Sequence, residues 1–261
     1  MPLGLTVALA GGLGNQLFQI AALLHVAQQT SRVPYIQTVE NPSPHSALSY
    51  FDTILSRFKN LYSNLRPSSK VAEPSSDYTD WAELLQGEHN PEMNGYFQDW
   101  QYIDPDFVSR LTFSPDVLSR YPGVKDSVFI HIRGGDYVGH FLHGIPLDEY
   151  YERAIAQFPG ANFLLVTNDI GYAVTRPFLR GLACTLANES EIDTLYLMGQ
   201  CAGGICANSS FSWWGAYLNP TRKIVMPDQW YTAPWYAQSG YYFPGVIKCQ
   251  VQAPLTAGVE V

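Results

Sequence analysis

An α/β architecture of two lobes, each built on a parallel sheet, is what the sequence predicts, and three observations carry it. The first is an apolar, β-branched run at 3–10 (LGLTVALA) that stops at Gly11-Gly12 and gives way to helical spacing. The second is the return of strand-then-helix alternation from about residue 127. The third is the stretch between them, which holds Pro105, Pro115 and Pro122 and shows no such alternation. Strands that alternate with helices pair in parallel, because each helix carries the chain back across the sheet.

The elements follow in order. After the strand at 3–10 and the loop Gly11–Gln16, the run LFQIAALLHVAQQT places Leu17, Ile20, Ala21 and Leu24 on one helical face. Residues 35–39 read as a short strand. Residues 40–92, with Pro42, Pro44, Pro67, Pro74 and a serine-rich patch at 67–76, read as loops and short helices. GYFQDWQY at 95–102 is an aromatic cluster. In the second series, SVFIHIR is a strand with Val128, Ile130 and Ile132 on one face and Phe129, His131 and Arg133 on the other. GGDY is a turn, 147–158 a helix, 162–167 a strand, 190–201 a helix and GGICAN a short strand. A helix starts at Ser209 or Ser210, and KIVMP is a further strand. The sequence has no repeat and no low-complexity tract.

Composition narrows the function. Of 261 residues, 46% are apolar and 15% charged, which excludes disorder and provides for a large core. Fifteen Lys and Arg against 23 Asp and Glu leave a net charge of −8, the wrong sign for a general nucleic-acid or anionic-membrane binder. One buried arginine holding a phosphate is still compatible with it. Seventeen Tyr and six Trp supply either core or platforms for flat ligands and sugars. Cys184, Cys201, Cys206 and Cys249 form no C-x-x-C pair, so they read as reduced, mostly buried thiols rather than a zinc site or a disulfide framework. The N-terminus lacks the basic start and cleavage site of a signal peptide, and no apolar run nears the ~20 residues that span a bilayer. The expectation is a soluble, cytoplasmic protein without a transmembrane segment.

In an open parallel sheet, ligands sit beyond the carboxyl ends of the strands. Those ends carry Gly11–Asn15, His131–Asp136, Thr167–Asp169 and Asn208–Phe211. The first group, with Gly12, Gly14 and Asn15, is either a tight turn or a loop that lets backbone approach a ligand; it is neither G-x-G-x-x-G nor a P-loop. In the second, His131 and Arg133 share a face, and a guanidinium there makes paired hydrogen bonds to a phosphate; its plainer reading is an ion pair between Arg133 and Asp136. In the fourth, Ser209 and Ser210 cap a helix whose N–H groups also suit an anion. Trp213 and Trp214 are either core or a cleft wall, and Asp104-Pro105-Asp106, though it spells D-x-D, reads as a turn rather than a metal site.

Taken together, GGLGNQLFQ, GYFQDWQY, HIRGGDY, NFLLVTND and DTLYLMGQCAGGICANSSFSWWGAYLN resemble the α-1,2-fucosyltransferase family, glycosyltransferase family 11. The motifs stand in the family's order and span most of the chain. The resemblance implies a GT-B-like fold of two Rossmann-like lobes with a cleft between them. It implies an inverting, metal-independent enzyme that needs no cofactor, takes GDP-β-L-fucose as donor substrate and fucosylates a glycan acceptor. Residues 1–122 form the expected acceptor lobe and 123–261 the donor lobe, with the 40–92 stretch and GYFQDWQY shaping the acceptor pocket. The family usually carries a second arginine where this chain has Gly134. A transferase for another nucleotide sugar, such as L-rhamnose or a hexose, and a non-catalytic glycan-binding protein are the alternative readings.

On this reading Arg133 and the N–H groups around Asn208, Ser209, Ser210 and Phe211 hold the departing diphosphate. Asp169 or Asn168 reads the guanine edge, His131 orients the loop or a phosphate, and Asn15 with Gly12 and Gly14 closes the cleft from the other lobe. The proton of the acceptor hydroxyl goes to Asp136, His140 or His143.

Overall fold

The structure, a computed structural model, describes residues 3–37, 48–74, 77–233, 236 and 239–252. In the first lobe, β1 (Gly4–Ala8) leads into the long helix α1 (Leu13–Gln29) and returns as β2 (Val33–Gln37). Then come β3 (Tyr62–Ser63), β4 (Ser69–Ala72), the single turn α2 (Trp81–Leu84) and β5 (Pro91–Asn94). The sheet order is β3-β2-β1-β5-β4 and every pairing is parallel.

The second lobe runs β6 (Ser127–Ile132), α3 (Asp148–Ile155), β7 (Asn162–Thr167), α4 (Ile170–Ala173), β8 (Cys184–Leu186) and α5 (Glu191–Gln200). It ends with β9 (Gly203–Ile205), α6 (Ser210–Tyr217), β10 (Lys223–Pro227) and β11 (Ile247–Cys249). Its order, β11-β10-β9-β6-β7-β8, is also wholly parallel. Counted within the lobe this is strand order 3-2-1-4-5-6, the doubly wound arrangement of a Rossmann sheet. The expectation of two α/β lobes with parallel sheets therefore holds.

Two expectations need correction, and a third lies partly outside the described residues. The 40–92 stretch contains β3, β4 and β5 besides its short helical turns; these strands have two to four residues each, too few to show alternation. Residues 38–47, including part of the strand expected at 35–39, lie outside the described residues. Helix α1 starts at Leu13, with Gly12 as its N-cap, so the glycine loop is shorter than its sequence suggests and Gly14 lies inside the first turn.

The alternation in β6 explains the packing of its lobe. Val128, Ile130 and Ile132 enter a core with Tyr151 and Ala154 of α3. Phe129 enters a larger core that runs through both lobes and joins Leu5, Leu17 and Phe18 to Leu195, Trp213 and Trp214. Both tryptophans are fully buried, which settles them as core rather than cleft wall. Their rings lie 4.5 and 5.1 Å from Phe18 of α1, across the lobes. Truncating such a ring typically costs ~3–5 kcal/mol.

The closest approach between the lobes is the N-terminal turn of α1 against that of α6. A Cβ on Gly14 would stand 2.6 Å from the carbonyl carbon of Ser210, a separation no side chain tolerates. Trp214 Nε1 donates to the Gly14 carbonyl at 2.9 Å, and Ser210 Oγ donates to Asn15 Oδ1 at 2.7 Å. Glycine at 14 is thus required by helix-on-helix contact. Among the described residues no helix is long and apolar enough to cross a membrane. The four cysteines are free: Cys201, Cys206 and Cys249 buried, Cys184 exposed.

Candidate active site

Strand order in the second sheet reverses between β6 and β9, and this is where the chain opens a crevice at the carboxyl edge. β6 delivers Arg133 to that edge and β9 delivers Asn208. Both line one cavity, together with Tyr137, His143, Tyr172 and Arg176.

Arg133 is three-quarters buried, with its guanidinium 4.9 Å above the Tyr137 ring. Nη2 donates to Asp136 Oδ1 at 2.7 Å, whereas Nε is buried without a partner. The ion pair anticipated as the plainer reading is therefore present, and it uses only part of the fork. Asp136 is 63% exposed, so the pair is strongly screened and easily exchanged for another anion.

The loop after β6 is held from β7. Asn168 Oδ1 accepts from Gly134 N at 2.9 Å, and Asp169 Oδ2 accepts from Gly135 N at 3.2 Å. Asp169 Oδ1 also caps α4 by accepting from Tyr172 N. These contacts show that Asn168 and Asp169 fix the Gly134-Gly135 backbone.

His131 is 2% exposed, and burial, aided by Arg133, pushes it down to about 3. The ring is therefore uncharged at neutral pH. It lies 5.7 Å from the Phe211 ring, its Nδ1 has no partner, and its backbone carbonyl accepts from Tyr151.

The other two histidines differ in role. His140 Nδ1 accepts from Leu142 N and His143 N at 3.1 Å each, so this ring folds its own turn. His143 stacks on Tyr137 at 4.8 Å, lines the cavity, and is lowered chiefly by burial, then by His140. Asn208 Nδ2 donates to the carbonyls of His143 and Trp230, binding the 140s loop to the end of β9.

The helix after β9 starts as expected. Ser209 caps α6 by accepting from Phe211 N at 3.4 Å, and Ser212 is buried against the Ala207 and Ser209 carbonyls. Ser210 crosses to Asn15, which also accepts from Gln98 Nε2 at 2.8 Å; Gln98 in turn accepts from Tyr241 OH. Asn15 is therefore engaged in an inter-lobe hydrogen-bond chain. The N-terminus of α1 has no side-chain cap. Two helix N-termini thus abut at the cleft, one from each lobe, and their partial positive charges add.

In GYFQDWQY, Phe97, Asp99 and Tyr102 are buried, Asp99 accepts from Tyr78 N and Gln101 N, Tyr96 and Gln101 are exposed, and Gln98 reaches Asn15. Asp104 pairs with His25 at 2.8 Å, next to the turn at 105–107, as its turn reading requires. No cluster of three or more metal-ligating side chains occurs among the described residues.

Sequence reading missed Tyr137, Tyr172, Arg176 and Gln98. Tyr172 lies within the one-turn helix α4 and Arg176 just beyond it, and both reach the cavity only through tertiary structure. Gln98 sat in plain view within the aromatic cluster, as a polar residue without an apparent task.

Comparison with known proteins gives a consistent result. The family model described as Glycosyl transferase family 11 matches residues 3–247. The chain is 28% identical to the O-antigen biosynthesis glycosyltransferase WbnK of Escherichia coli, over 85% of this chain and 93% of that protein. It is 27% identical to an alpha-1,2-colitosyltransferase of the same species, over 85% and 91%. It is 26% identical to galactoside alpha-(1,2)-fucosyltransferase 2 of Oryctolagus cuniculus, over 88% and 70%. Among solved structures, NodZ alpha-1,6-fucosyltransferase from Bradyrhizobium, soaked with GDP-fucose, superposes with a TM-score of 0.53 at 13% identity. That match covers 87% of this chain and 96% of NodZ, and shows a shared GT-B-like fold.

Proposed function

Because the chain belongs to glycosyl transferase family 11, we propose that it moves L-fucose from GDP-β-L-fucose to a galactose hydroxyl of a glycan, forming an α-1,2 linkage with inversion. The observation that carries this is a partly uncommitted Arg133 fork sharing one cavity with Asn208, two residues before the N-terminus of α6. Such a site suits a diphosphate leaving group. The galactoside alpha-(1,2)-fucosyltransferase supports the linkage, and GDP-fucose-soaked NodZ, of the same fold, is compatible with the donor.

In the reaction the acceptor oxygen bonds to the anomeric carbon while the bond from that carbon to the phosphate oxygen breaks. The electron pair leaves with GDP, where Arg133 and the N–H groups of α6 and α1 bear the developing charge. The acceptor proton goes to His143, whose ring stays neutral, keeps its nitrogens free of protein partners and lines the cavity beside Arg133. Asp136, released from Arg133 when the diphosphate binds, is the alternative acceptor, whereas His140 Nδ1 is engaged by its own turn. The first lobe, 1–122, takes the acceptor and the second, 123–261, the donor. No resident metal has a part in this scheme, and transfer is expected to persist in excess EDTA. We place the enzyme in the cytoplasm, which suits its free cysteines.

A second reading keeps the mechanism and changes the sugar. The alpha-1,2-colitosyltransferase is as similar as the fucosyltransferase, so a different deoxysugar on the same nucleotide is the rival. The test is GDP release from GDP-fucose with and without lactose. Release stimulated by lactose, and absent with GDP-mannose and UDP-galactose, is the expected result. Inertness toward GDP-fucose together with tight GDP binding selects the rival sugar.

A further inference from the structure

The cavity lined by Arg133 holds a second guanidinium, that of Arg176. Its face lies 4.3 Å from the centre of the Tyr172 ring, and Nε and Nη2 donate to Thr175 Oγ1 at 3.3 and 2.9 Å. Its only ion pair is long: Nη1 stands 3.5 Å from Asp148 Oδ2, and neither of the two side chains is fully buried. Both terminal amino groups therefore keep N–H bonds without a close acceptor. Arg133 is similar, with a buried Nε that has no partner. Two arginines on one cavity repel each other, and neither is neutralised by a tight, buried carboxylate. An arrangement of that kind becomes favourable when an anion with several oxygens binds between or beside the two forks.

Tyr172 fixes where this fork stands. A Cβ on Gly134 would lie 3.0 Å from Tyr172 Cδ1 and 2.8 Å from Asp169 Cβ, so the Tyr172 ring fills the space next to the Gly134 backbone. The guanidinium stacked on that ring is thereby held close to the loop that carries Arg133.

We propose that Arg176 is a second binding residue for the diphosphate of the nucleotide sugar, acting with Arg133 on the same leaving group. This rests on the reading of the cleft as a nucleoside diphosphate site. The plainer role for Arg176, fastening α3 to the segment after α4 through Asp148, gives different results in one experiment.

Calorimetric titration of wild type, Arg176→Gln and Arg176→Lys with GDP, guanosine and inorganic pyrophosphate reads the role directly. The Gln variant is expected to weaken GDP and pyrophosphate by about tenfold and to leave guanosine within about twofold. The Lys variant falls between, because it keeps the charge and loses the fork. A Gln variant that binds GDP and pyrophosphate as wild type does overturns the proposal. So does an equal loss for guanosine, which marks a general disturbance of the pocket. If Arg176→Gln does not fold, the Lys variant decides alone, with wild-type pyrophosphate affinity counting against the role. Wild type that binds pyrophosphate but not GDP removes the guanine nucleotide reading and leaves Arg176 to be judged on pyrophosphate. Wild type that binds neither removes both.

Discussion

Around β6 and β9 the C-terminal lobe ends its strands in Arg133, Asp136 and Asn208, while the N-terminal lobe ends β1 and β5 in Gly11-Gly12 and Gly95-Tyr96. Both edges belong to parallel sheets of related winding. The C-terminal edge gathers charge and leaves part of it unpaired. The N-terminal edge offers backbone and amides, and uses Asn15, Gln98 and the Gly14 carbonyl to grip the other lobe. One topology thus supports two tasks: chemistry where the edge is polar and open, and docking where it is small and close.

The largest expected effect tests the polar edge. Arg133→Ala is expected to lower transfer ~10²–10³-fold with an unchanged melting curve. Arg133→Lys should fall nearly as far, since a point charge replaces a two-pronged fork. A loss of the same size from Asn15→Ala would break the comparison, by giving the docking edge a catalytic share.

Next comes the close contact. Gly14→Ala forces a Cβ to within 2.6 Å of the Ser210 carbonyl carbon, so stability should drop by ~1–3 kcal/mol. A denaturant titration checks this, and an unaltered midpoint would show that the helices separate freely. Gly134→Arg should lose about 1 kcal/mol through its crowding of Asp169 and Tyr172. Its GDP affinity should weaken; tighter GDP with an unchanged melt would show that the loop yields to admit a third guanidinium.

A subtler effect, visible only as a pH dependence, belongs to the docking edge. Glu73 accepts from Tyr96 N and Phe97 N at 3.0 Å each, and burial raises it from 4.5 to about 7, with Asp99 adding to the shift. Tyr102, Tyr231 and Tyr241 lie within its field. The folded state binds this proton more tightly than the unfolded chain does. Its stabilising share is complete below about pH 4.5, declines as pH rises, and is gone once pH passes about 7. Melting temperatures at pH 5.5 and 8 should therefore differ by less in Glu73→Gln than in wild type. An equal difference in both would place the titration elsewhere.

Much of the C-terminal lobe was legible in the sequence, because β6, β7 and β10 are five or six residues long and bury nearly all of them. β3 has only two residues and β8 exposes all three of its own, so backbone pairing rather than side-chain pattern defines them. Arg133 could be found because it follows β6 directly, and Asn208 and Ser209 because they stand between the end of β9 and the start of α6. The roles of Asn168 and Asp169 could not, since their partners lie 34 residues away and are backbone N–H groups. Burial likewise decides the charge of His131, and nothing in HIRGGDY reveals burial.

The continuous core has a consequence for modularity. Trp213 and Trp214 belong to the second lobe by sequence but pack on Phe18, and Trp214 also on Phe107, residues of the first. A boundary at residue 122 is therefore a seam in the topology and not a line of cleavage. Exchange of one lobe for that of a relative would graft foreign α1 side chains onto a native α6, leaving unmatched aromatic volume at the centre of the molecule. The transferable unit is the whole chain, or a lobe accompanied by the opposing helix that completes its core.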